Sequence, residues 1–87
     1  MGAKNVNGTF SGTGQSDAVL GGECAISLTF AGTATVDLEW SYDSSTWASV
    51  ESYTASAKKY TGPGPALYWR LNCTAHTNDV TYWIEAQ

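Results

Sequence analysis

Between Val36 and Val50 the chain alternates with a period of two. Val36, Leu38, Trp40 and Tyr42 interleave with Asp37, Glu39 and Ser41, the pattern pauses at Asp43-Ser44-Ser45-Thr46, and it resumes at Trp47. An apolar residue at every second position puts one face in a core and the other in water, which is a strand pattern. Two such runs joined by a short Asp/Ser turn predict an antiparallel hairpin. This constrains the fold more than any other feature, because a hairpin needs a second layer to cover its apolar face.

The rest of the chain repeats the theme, and a helical period is found nowhere over a useful length. Val6, Gly8 and Phe10 alternate in a first strand, and Ser11 to Gly14 reads as a loop. Ala18-Val19-Leu20 is a second apolar run, ended by Gly21-Gly22. Cys24, Ile26, Leu28 and Phe30 share one face of a third strand. Trp47 to Tyr53 completes the hairpin. Lys58-Lys59-Tyr60-Thr61 suits an exposed edge, where adjacent lysines discourage further pairing. Gly62-Pro63-Gly64-Pro65 must be a loop, since proline cannot donate to a ladder. Leu67, Trp69, Leu71 and Cys73 point inward, as do Val80, Tyr82, Ile84 and Ala86 after a turn at Ala75–Asp79. Seven to eight short strands predict an all-β, compact antiparallel β-sandwich, immunoglobulin-like or jelly-roll-like. Residues 1–87 form one domain in this reading, with residues 1–7 as a flexible N-terminal arm. A chain of 87 residues buries only roughly 60–65% of its unfolded surface, so the core is thin. Large aromatics, 13% of residues, supply much of its volume.

Charge narrows the function classes. Charged residues are 14% of the chain, net charge is −4, and the cations are Lys4, Lys58, Lys59 and Arg70. Nucleic-acid binding is not expected, because phosphate neutralisation needs clustered Lys and Arg. No segment approaches the roughly 20 apolar residues of a membrane helix. The N-terminus lacks the apolar run of a signal peptide, so synthesis and retention in the cytoplasm are expected. The sequons at Asn7 and Asn72 are read as coincidental.

Catalysis and metal binding find little support. Cys73 and His76 have metal-like spacing, but a structural zinc needs four ligands and the other soft ligand, Cys24, is far off in sequence. No nucleophile elbow accompanies His76 and Asp79. The expectation is no enzyme, no cofactor and no metal, with His76 a solvated turn residue. Tyr68, Arg70 and Trp83 fall opposite the main apolar stripes and are candidate interface residues, since aromatics and Arg dominate hot spots. The bland alternative is that this second face is itself partly covered.

Three resemblances bear on the reading. Cys24, Trp40 and Cys73 are similar in order to the disulfide pin of immunoglobulin domains, which would imply a Cys24–Cys73 bridge and an adhesion domain; Leu71 stands where the tyrosine of that family's corner would be. Two buried free thiols are the other reading. Ser41 to Trp47 resembles the Asp-box hairpin of sialidases, one residue shorter and without its glycine. That resemblance implies Asp43 accepting backbone N–H bonds with Trp47 packed beneath, a structural role. Finally, Gly32-Thr33 through Val36, Leu38, Asp43 and Trp47 to Val50, then Tyr68 to Thr74 and Val80 to Ile84, with Phe10 to Ser16, resemble a group of small phage virion proteins. Ser44-Ser45 replaces the glycine pair of that pattern, and His76 also departs from it.

The virion resemblance implies an architectural role: a capsid decoration (cement) protein on the head exterior, made in the host cytoplasm. Its partner would be the major capsid protein. It would act as a homo-oligomer, a trimer by preference, with Lys4 and Val6 of the arm ordering on contact. The competing class is a carbohydrate- or receptor-binding module of a tail or fibre, using exposed Trp and Tyr against sugar rings.

Overall fold

Period-two strands must cover their apolar faces against a second sheet. The computed structural model, which describes residues 4–87, shows how this chain does so. Nine strands follow in order: β1 (Lys4–Phe10), β2 (Gly14–Gln15), β3 (Val19–Gly21), β4 (Cys24–Phe30), β5 (Ala34–Ser41), β6 (Ala48–Tyr53), β7 (Ala57–Thr61), β8 (Leu67–His76) and β9 (Val80–Ala86). They form two antiparallel sheets. The first has the order β1-β9-β4-β7; the second has β2-β8-β5-β6, with β3 also on β8. The chain is an all-β sandwich, as its alternation predicts.

Strand order decides between the two sandwich types. β2 and β3 pair with successive parts of β8, Gly14 and Gln15 against Cys73 and Asn72, then Val19 to Gly21 against Trp69 to Leu67. Ser16 carries the pairing across the gap. Its N–H donates to the Leu71 carbonyl at 2.8 Å, and its hydroxyl accepts the Leu71 N–H at 2.9 Å. With β2 and β3 counted as one interrupted strand, the two four-stranded sheets have the double Greek-key order of a jelly roll. The immunoglobulin-like option gives way to it. Among the described strands, β5 and β6 are the only sequence neighbours that pair with each other. Every other ladder joins distant segments, and β9 lies between β1 and β4.

The core lies between the sheets. Ile26, Leu28, Val80 and Ile84 face Val36, Leu38, Trp69 and Leu71 across it, all buried. Ile84 sits in the middle of the first sheet, opposite Val6 on one side and Ile26 on the other. The Trp69 indole is fixed by an Nε1–H bond to the Gly21 carbonyl at 3.0 Å. Gly21 must be glycine, because a Cβ there would sit 2.6 Å from the backbone of Gln87. That close approach is held by the Gln87 N–H donating to the Glu23 carbonyl at 3.0 Å and by Gly22 N–H donating to the Gln87 carbonyl at 2.8 Å.

Edges and bulges limit where another chain can add. β7 is an outer strand and carries Lys58 and Lys59, as expected for a guarded edge. β6, an outer strand of the second sheet, carries an extra residue, Val50, where register shifts against Leu38 and Glu39. The bulge twists the edge away from regular pairing. Across the open side, Lys59 reaches Glu51 at 3.6 Å, and the Tyr53 hydroxyl donates to the same carboxylate oxygen at 2.8 Å. Burial and the Glu51 carboxylate both push the Tyr53 phenol up from its ordinary pKa.

Two sequence expectations are corrected, and of the two cysteine readings the free thiols hold. Within the expected arm of residues 1–7, Lys4 to Asn7 instead pair with Ala86 to Trp83 along β9; Met1 to Ala3 lie outside the described residues. Val6 packs against the core, because its alternation with Phe10 puts both on the inner face. At the end of β5 the alternation breaks: Ser41 is buried while Tyr42 is 74% exposed. Ser41 is drawn in because its hydroxyl serves the turn. Cys24 and Cys73 are both free and buried, with no bridge between them. The Cys73 thiol instead points to the Ala75 carbonyl on its own strand at 3.4 Å. Burial pushes the Cys24 thiol up to about 12 and raises that of Cys73.

Candidate functional site

Strand alternation leaves the sandwich with two outer faces, and the candidate interface residues divide between them. On the first sheet, rows run across β1, β9 and β4: Asn7, Trp83 and Ser27, then Thr9, Thr81 and Thr29. These side chains line a shallow depression of about 390 Å³. Trp83 stands in it with 44% of its surface exposed. Its indole Nε1–H donates to Glu85 at 3.2 Å, which orients the ring without burying it. The depression is lined mainly by uncharged polar groups beside Trp83; further along the same face stand Glu85 and, from β7, Lys58 and the exposed Tyr60.

The second sheet presents a different outer face. Arg70 lies opposite Glu39 in the β5–β8 ladder, and its Nε–H donates to the Glu39 carboxylate at 2.7 Å. Asn72 donates to the other Glu39 oxygen at 3.2 Å. The Arg70 guanidinium lies 4.1 Å from the centroid of the Trp47 ring. Arg70 is therefore held within its own chain, with only 22% of its side chain exposed. Tyr68 pairs with Ser41 and Leu20 on the same sheet. With Leu20, which is exposed, it borders a groove of about 470 Å³.

Sequence reasoning grouped Tyr68, Arg70, Trp83, Lys4 and Val6. The structure puts Tyr68 and Arg70 on one sheet and Trp83 on the other. Val6 turns inward, and Lys4 begins β1. Trp83 alone keeps the exposure that an interface aromatic requires.

The turn after β5 is a third place of interest. Asp43 Oδ1 accepts the Ser45 and Thr46 N–H groups, each at 2.9 Å, and the Ser41 hydroxyl at 2.9 Å. The Ser41 oxygen in turn accepts the Ser44 N–H at 2.9 Å. Those donors hold the Asp43 carboxyl down at about 2, the Thr46 and Ser45 N–H groups contributing most. The turn is as the Asp-box resemblance implies, but Trp47 stacks on Arg70 instead of simply packing under the turn. Ser44 sits at φ 66°, in the left-handed region where glycine is at ease. Beside the turn, Trp40, Tyr42 and Trp47 surround a cleft that sequence reasoning missed. Its signal was present: aromatics flank the Asp turn on both sides. Alternation, however, assigned Tyr42 to the core.

His76 is half-buried and pairs with Asp79, Nε2 to Oδ1 at 3.0 Å. Among the described residues, no group of three or more His, Cys, Asp or Glu is placed to hold a metal.

No family model matches the chain, and no curated protein matches it. Among solved structures, the crystal structure of Yersinia pseudotuberculosis-derived mitogen (YPM) is similar at 15% identity. The match covers 99% of this chain and 86% of that one, with a TM-score of 0.48.

Proposed function

We propose that this chain is a bacteriophage virion structural protein, a capsid decoration (cement) subunit that binds the head exterior and stabilises the shell. The observation that carries the reading is the outer face of the first sheet. Trp83, 44% exposed, stands there among Asn, Ser and Thr on a rigid three-strand platform. An exposed aromatic amid uncharged polar groups is the composition of a protein interface core with its rim. The lining of the depression carries no charge, so it can be buried with little desolvation cost. The partner in this reading is the major capsid protein, and subunits meet as a homo-oligomer, a trimer by preference. Binding to many equivalent sites then stabilises the assembled shell by mass action. No catalytic step is assigned to the chain.

The test uses heads assembled from the major capsid protein of the same genome. The chain is expected to co-sediment saturably, at a fixed ratio to capsomers, and to raise the temperature at which the heads disassemble. Binding that neither saturates nor changes that temperature would overturn the reading.

A further inference from the structure

We propose that the cleft beside the β5–β6 turn binds a single neutral pyranose ring. The cleft has a volume of about 190 Å³ and is lined by Trp40, Tyr42, Asp43, Thr46, Trp47 and Ala48. Pockets for drug-sized ligands run from about 300 Å³ upward, so this one suits one ring and not an extended peptide.

Its walls are aromatic, and the two tryptophans are held, Trp40 against the core and Trp47 by Arg70. Trp40 and Tyr42 meet edge to face, with centroids 5.0 Å apart. Trp47 is held from outside by Arg70, which Glu39 anchors in turn. Tyr42 keeps 74% of its surface in solvent beside them. An aromatic ring presented in this way offers its face to the apolar C–H side of a sugar. The held tryptophans also reduce the ordering cost that weakens small-ligand binding.

The polar groups fit the same ligand. Asp43 Oδ1 is committed to three donors of its own turn, which lock the carboxylate in place. Its Oδ2 makes no hydrogen bond among the described residues and can accept from sugar hydroxyls, a charge-assisted bond. The Thr46 hydroxyl adds a donor and acceptor. Charge then selects among ligands. The Asp43 carboxylate and the net charge of −4 oppose acidic sugars. The Arg70 guanidinium, 4.1 Å from the Trp47 ring, opposes a quaternary ammonium, the other usual guest of an aromatic cage.

The site goes beyond the virion reading and its test needs only the isolated chain. Methyl glycosides of glucose, galactose, mannose and N-acetylglucosamine are titrated against tryptophan fluorescence and saturation-transfer NMR, with choline and sialic acid alongside. At least one neutral glycoside is expected to bind with Kd of about 1–10 mM, the weak range for one ring. Tyr42→Ala is expected to weaken it at least about ten-fold. Lys59→Ala, on β7 of the opposite sheet, should leave it unchanged. The proposal is overturned if no neutral glycoside gives a saturable response, if choline or sialic acid binds more tightly than every neutral sugar, or if Tyr42→Ala leaves binding intact.

Discussion

Replacing Arg70 by alanine separates a structural arginine from an interface one. In the fold its Nε–H bonds Glu39 at 2.7 Å, and its guanidinium covers Trp47 at 4.1 Å. Side-chain exposure is 22% for Arg70 and 13% for Glu39, so solvent screens the pair only in part. A hydrogen bond to a charged partner contributes about 1.5–3 kcal/mol, and a cation–π contact about 0.5–1 kcal/mol. The expected loss is about 2–3 kcal/mol, because the freed Glu39 regains some water while keeping Asn72. In urea, with a slope of about 1.5 kcal/mol/M for a small domain, the midpoint should fall by roughly 1.3–2 M, followed by tryptophan fluorescence. A double-mutant cycle with Glu39→Gln should return a coupling of at least about 1 kcal/mol. That coupling should survive high salt, which removes only exposed pairs. A midpoint shift under roughly 0.3 M, or zero coupling, would refute the reasoning and return Arg70 to the free surface.

Four further outcomes follow from the packing and the turn. Ile84→Ala opens a cavity between Val6 and Ile26 and should cost about 2–5 kcal/mol in urea unfolding, with the slope unchanged. Ser44→Gly relieves a left-handed residue and should stabilise the fold by about 0.5–1 kcal/mol, seen as a higher thermal midpoint. Asp43, lowered from 3.8 to about 2, stabilises fully above its unfolded pKa and loses that contribution as pH falls toward 2. The stability gap between the native chain and Asp43→Asn should therefore narrow on going from pH 5 to pH 2; a constant gap would contradict the turn's electrostatics. Both thiols should resist a thiol reagent at pH 8 in the native state and react with two equivalents in urea. Rapid native labelling, or no free thiol, would contradict the described core.

The alternation of Leu67 to Cys73 and of Val80 to Ala86 revealed which residues face the core, and the structure buries those faces. Alternation tells which side of a strand is wet, but not which sheet the strand joins. β8 and β9 follow one another across a short turn, yet enter opposite sheets. That is why Arg70 and Trp83 looked like one patch and lie on two. The β5–β6 hairpin was legible because its partners are local. The β1–β9 ladder was not, since nothing near Val6 in sequence announces Ile84 as its partner. At Ser41 and Tyr42 the pattern failed for another reason. A hydroxyl needed by the turn overrode the apolar period and left an aromatic outside, and there the aromatic cleft forms.

The proposed role stands or falls on which face meets the shell. Trp83→Ala and Tyr68→Ala alter opposite sheets, and co-sedimentation with heads compares their occupancy at equal concentration. The account predicts that Trp83→Ala loses at least about ten-fold in affinity, as for a hot-spot aromatic, while Tyr68→Ala binds as the native chain does. Undiminished binding by Trp83→Ala would contradict it.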